Sequence, residues 1–180
     1  MNSTKTILES SYKPQREFAE DVSKLGYSYD NELSNMENKV FVNRETGRPS
    51  IAYRGSTTAK DWIGNAKLAL GFKDPEVERR IQLADKVKAK YGNNIETIYG
   101  HSRGGLIAER AGEKTGAKVV TYNKAVDFSD MFKTIRPEQI DIRKEKDLVS
   151  LPSFFQTGGK KITKKDTSIF PTFLSAHSIS

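Results

Sequence analysis

The chain contains no cysteine. Disulfide cross-links and thiolate zinc sites are therefore excluded, and thiol content assigns no redox compartment. Only two histidines are present, too few for a histidine-rich metal site. No apolar run approaches the roughly 18 residues that cross a bilayer. The opening residues, MNSTKTILESSYKPQ, lack the apolar core of a secretory leader. The expected protein is soluble, and either intracellular or packaged or exported by a route that needs no such leader. Gly-rich phosphate loops and carboxylate pairs at glycosidase spacing are missing. So is the interleaving of aromatic and basic residues found in single-strand nucleic-acid binders. No metal, organic cofactor or nucleic-acid partner is expected.

What is present fits one α/β domain spanning all 180 residues. Lys and Arg number 30 against 23 acidic residues, a net charge of +7. That excess gives a weak attraction to phosphates such as those of anionic lipid, and solubility alone would explain it equally well. Residues 1–12 are polar and expected to fray. Pro14 opens a helix with Phe18, Val22 and Leu25 on its apolar face and Gly26 as its stop. Residues 27–38 read as loop. Residues 39–43 and 50–54 are β-rich runs that should form an antiparallel pair at the start of the sheet.

A helical spacing runs from Asp61 to Leu70 and includes Trp62 and Ile63. Asp74-Pro75-Glu76 is a helix start, with lysines at 86, 88 and 90 and Gly92 at the far end, a charge order that suits the helix dipole. Strand-like IETIYG (95–100), a helix from about Arg103 to Lys114 ended by Gly116, and strand-like 117–123 follow. A helical patch near 128–135 and a strand at 139–144 complete the alternation. Such alternation implies a mostly parallel sheet covered on both faces. After Pro152 the tail is rich in Gly and Lys, with Ile169, Phe170, Phe173 and Leu174 expected to pack back onto the body. Its lysines at 160, 161, 164 and 165 form a basic cluster that could meet anionic headgroups near a site mouth.

The densest signal is IETIYGHSRGGL (95–106), which sets Ser102 between Gly100 and Gly104 where a strand should turn into a helix. A nucleophilic serine needs that bend, small neighbours where strand and helix nearly touch, and helix-end N–H groups for an oxyanion. It also needs a base. His101 is adjacent, with its ring expected to point away from the serine hydroxyl, which leaves His177 as the better candidate. An orienting acid should lie between serine and histidine. Asp127, Asp130, Asp141, Asp147 and Asp166 all qualify, and Asp147 stands out just beyond a strand.

Three blocks resemble the class 3 (fungal-type) lipases of the α/β-hydrolase superfamily: IAYRGSTTAKDWIGN (51–65), IYGHSRGG (98–105) and RKEKDLVSLP (143–152). The resemblance implies a compact α/β-hydrolase, with a mostly parallel sheet flanked by helices and an antiparallel pair at its start. It implies Ser102 as nucleophile, Asp147 as acid, His177 as base, and Ser56 and Arg103 as oxyanion-hole residues. The segment around Trp62 and Ile63 matches the family's interfacial lid. A lipid or membrane-interface ester is the implied substrate, cleaved through an acyl-serine. The alternatives are a non-catalytic binding or particle-associated module of the same fold, and an esterase or thioesterase with soluble substrates. Two departures stand out: Arg103 where an apolar residue is common, and TYNKAVD (121–127) in place of a Phe-Gly-x-Pro block.

Overall fold

The computed structural model describes residues 3–55, 75–127, 130–145, 147 and 150–165. Seven strands form one sheet in chain order: β1 (Tyr27–Tyr29), β2 (Asn38–Asn43), β3 (Pro49–Tyr53), β4 (Thr97–His101), β5 (Lys118–Tyr122), β6 (Thr134–Lys144) and β7 (Thr157–Lys164). The β1–β2 and β2–β3 pairs are antiparallel, and every later pair is parallel. The described helices are α1 (Ser3–Ser10), α2 (Gln15–Lys24), α3 (Pro75–Tyr91) and α4 (Arg103–Thr115). This is the expected α/β architecture.

The period of two along each strand divides the core into two layers. Val40, Ile51, Tyr53, Ile98 and Val119 face Val77, Ile81, Ala84 and Val87 of α3 and Ile107, Ala108 and Ala111 of α4. Their sequence neighbours Phe41, Ala52, Tyr99 and Val120 face Ile7 and Leu8 of α1 and Phe18 and Val22 of α2. Strands covered on both sides bury every position, as β3 and β4 do. Helix α3 starts at Pro75 with Glu76 and Glu78 in its first turn and ends with Lys88 and Lys90 in its last. Gly116, at φ 78°, closes α4 in the left-handed conformation.

Four segments differ from expectation. Residues 3–10 form α1, and its Ile7 and Leu8 are completely buried, so the start of the chain is docked rather than frayed. Residues 27–29, within an expected loop, form the short β1. Strand β6 begins at Thr134, inside the expected helical patch, because a register shift between Ile135 and Ile140 lets Pro137 sit in a bulge. The Gly- and Lys-rich tail contributes β7, after a 3-10 turn at Leu151–Phe155. The expected helix at 61–70 and the apolar residues at 169–174 lie outside the described residues.

Candidate active site

Ser102 stands where β4 becomes α4, with φ 55° and ψ −126°. A non-glycine residue held there stores roughly 1–3 kcal/mol of strain, which surrounding contacts must offset. Those contacts are present. The Ser102 N–H donates to the Tyr122 carbonyl at 3.1 Å, and its carbonyl accepts from Gly105 at 2.9 Å and Ala125 at 3.0 Å. The flanking glycines are required by space. A Cβ on Gly100 would lie 2.2 Å from the Gly104 oxygen, and one on Gly104 would lie 2.1 Å from the Tyr53 oxygen. Strand β3, the bend and α4 are therefore packed backbone to backbone.

The turn leaving β3 lies against the same bend. A Cβ on Gly55 would come within 2.8 Å of the Ser102 Cβ, the His101 carbonyl and the Tyr12 hydroxyl. The Gly55 N–H donates to the Tyr12 hydroxyl at 3.0 Å, and that hydroxyl is 2.5 Å from His101 Nδ1. Burial pushes the Tyr12 phenol up to about 12, against the opposing Gly55 N–H, so it keeps its proton at neutral pH. Preceding Arg54 is fixed at both ends, its N–H donating to the Glu37 carbonyl at 2.9 Å and its carbonyl accepting from Arg80 Nη2 at 2.7 Å. Arg80 is itself buried and also donates to Asn38 Oδ1 at 2.8 Å and to the Glu37 carbonyl at 3.0 Å. The Arg103 side chain turns toward Glu76 at 3.6 Å.

Asp147 follows β6 on the rim where β4 ends at Ser102, with β5 between the two strands. It is fully buried, and its Oδ2 accepts from the Ser150 N–H at 3.0 Å. Asn123, at φ 44°, links β5 to β6: its N–H donates to the Ile142 carbonyl and its Oδ1 accepts from the Lys144 N–H, both at 2.8 Å. His177, Ser56, Trp62 and Ile63 lie outside the described residues. Among the described residues no group of three or more His, Cys, Asp or Glu could hold a metal, and no helix is long and apolar enough to cross a membrane.

Sequence reasoning missed a buried ionic cluster behind the bend. Lys124 Nζ contacts Glu109 Oε2 at 2.5 Å, Asp141 Oδ2 at 2.7 Å and Gln156 Oε1 at 2.8 Å. Gln139 Nε2 bridges the two carboxylates at 2.7 and 2.8 Å, and Thr121 donates to Asp141 at 2.6 Å. Burial alone would push the Glu109 carboxyl up, but Lys124 and Gln139 hold it below its ordinary value. Lys124 also packs against Gly105, whose added Cβ would lie 3.0 Å from the Lys124 Cβ. The segment TYNKAVD thus supplies polar support to the first turn of α4. The available signal was a lysine and a glutamate each spaced among core positions.

Comparison with known proteins gives this geometry a family. The model of the Tle-like phospholipase domain matches residues 11–147, well over half of the chain. The chain belongs to that phospholipase-like family. A stretch of 75 residues is 35% identical to the extracellular phospholipase A1 of Serratia liquefaciens, covering 42% of this chain and 23% of that protein. The aligned part thus spans less than a quarter of the relative. Lipase II from Rhizopus niveus superposes with a TM-score of 0.60 at 13% identity, over 92% of this chain and 80% of that one. The native Rhizomucor miehei lipase propeptide complex gives 0.56 at 14% identity, over 98% and 74%. At such identities the lipases share the fold of this phospholipase-like chain, and the fold is what they establish.

Proposed function

We propose that this chain hydrolyses carboxylic esters of lipids, phospholipids among them, through an acyl-serine intermediate. The Ser102 hydroxyl adds to the ester carbonyl carbon as His177 takes its proton. The negative charge on the carbonyl oxygen is met by the backbone N–H groups of Ser56 and Arg103. Collapse of the adduct breaks the ester C–O bond, and the proton on His177 passes to the departing alcohol. Water, deprotonated by His177, then releases the carboxylic acid and restores the serine. Asp147 orients the imidazole, and its burial and its bond from Ser150 suit a carboxylate that must stay in one place.

The observation that carries this reading is the positive-φ backbone of Ser102 between two glycines that tolerate no side chain. That conformation has a cost, and it presents a hydroxyl at the end of a parallel strand, where such sites are built. Membership of a phospholipase-like family supports the lipid class. The test is covalent labelling with a fluorophosphonate probe. One label per chain on wild type and none on Ser102→Ala, with the same melting curve, is the expected result. No label on folded wild type would remove the hydrolase reading.

A further inference from the structure

We propose that Tyr12 is a positioning residue that ties the turn after β3 to the nucleophile bend. The proposal rests on the reading of Ser102 as nucleophile. The need for a tie follows from where the strand ladder stops. Strands β3 and β4 pair in parallel through Tyr53 opposite Gly100, the last matched position. Beyond it the ladder assigns no pair between Arg54-Gly55 and His101-Ser102. Yet Gly55 must stay in contact with Ser102, because the next residue, Ser56, is the one to which family resemblance gives an oxyanion role. A displacement of about 1 Å at such a donor can cost about 100-fold in rate.

The Tyr12 hydroxyl bridges the two segments. It accepts from the Gly55 N–H at 3.0 Å and lies 2.5 Å from His101 Nδ1. With one O–H and two lone pairs, the hydroxyl can serve the Gly55 N–H and either tautomer of the His101 ring at once. The ring is also set in place, edge-on to His101 with centroids 5.6 Å apart and beneath the Arg54 guanidinium at 5.8 Å. Its carrier is docked rather than loose. Helix α1 is anchored by fully buried Ile7 and Leu8. The Ser11 N–H caps the Ile7 carbonyl at 3.0 Å, while Ser10 and Lys13 both hold Asp21 of α2, at 2.5 and 2.7 Å. The first helix therefore delivers one hydroxyl, 89 residues away in sequence from its imidazole partner, to the joint between two strands.

Tyr12→Phe keeps the ring and removes the tie. With a soluble short-chain p-nitrophenyl ester, kcat should fall about tenfold or more while KM stays within about twofold. Phosphonylation of Ser102 should slow in parallel, with an unchanged melting curve. Amide hydrogen exchange at Gly55 should speed up, because its acceptor is gone. A kcat within about twofold of wild type, or a loss that tracks a loss of folded protein, would overturn the assignment. Should Tyr12→Phe fold poorly, His101→Asn, read by the same Gly55 exchange, tests the other half of the tie. If wild type neither hydrolyses the ester nor takes the label, the hydrolase reading fails. Gly55 exchange then decides the tie alone, and equal exchange in Tyr12→Phe and wild type sinks it.

Discussion

The two flanks of the Ser102 bend are held by different physics. Toward β3 the contacts are shape and hydrogen bonds to the main chain: Gly104 against the Tyr53 backbone, the Tyr12 hydroxyl on Gly55, and Arg80 reaching main-chain carbonyls. Toward β5 and β6 the support is ionic, with Lys124 between Glu109 and Asp141 and Lys133 3.6 Å from the other Glu109 oxygen. On the second flank Lys133 also pairs with Glu113, so two lysines meet three carboxylates. On the first, buried Lys39 and Arg80 and half-buried Arg54 outnumber Glu37 and Glu76, the two acids beside Arg80. A positive excess suits the flank where the proposed chemistry would build negative charge on an oxygen.

The largest expected effect comes from breaking the ionic flank. Lys124→Ala leaves two carboxylates facing each other without their cation, and should cost about 3–5 kcal/mol in urea unfolding. Lys124→Met combined with Glu109→Gln should recover part of that loss, because it removes one charge of each sign. Little recovery would mean that the cluster works through packing against Gly105 rather than through charge.

Next in size is the β3 flank. Gly104→Ala places a methyl group 2.1 Å from the Tyr53 oxygen, so α4 must move off the sheet. A loss of about 1–3 kcal/mol is expected, with labelling of Ser102 reduced by more than the stability change accounts for. A Gly104→Ala protein that labels at the wild-type rate would show that the close approach is dispensable.

The smallest effect is a pH dependence. Burial, with Arg54 nearby, lowers the Lys39 ammonium to about 8 from 10.5. Between those values the unfolded chain holds a proton that the folded chain has released. Stability from this group therefore rises as pH climbs from about 8 to 10.5, and is lost as pH falls through 8. The difference in melting temperature between wild type and Lys39→Met should shift in favour of wild type over that window. A difference that stays flat would mean that Lys39 is solvated in solution.

The bend itself was legible because its requirements are local: two glycines, a serine, and a strand-to-helix change within twelve residues of IETIYGHSRGGL. That the sheet is covered on both faces was legible from the alternation of strands and helices, and α3 from Pro75 and its charge order. Helix α1 was not, because only Ile7 and Leu8 mark its buried side in an otherwise polar segment. Strand β7 was hidden because almost every residue in it is exposed, so TGGKKITK carries no alternation to read. Lys124 was hidden for the opposite reason, since a lysine normally signals surface, and only partners from α4 and β6 make its burial tolerable.

By itself the sequence determined the elements whose causes lie within a few residues: capped helices, apolar strands, and a serine on a bend too tight for side chains at Gly100 and Gly104. Only the tertiary structure decided how that bend is supported. The supports pair residues distant along the chain, Tyr12 with His101 and Lys124 with Gln156. A polar side chain gives no sign in sequence of the buried partner that will satisfy it, because that partner is brought near only when the sheet assembles.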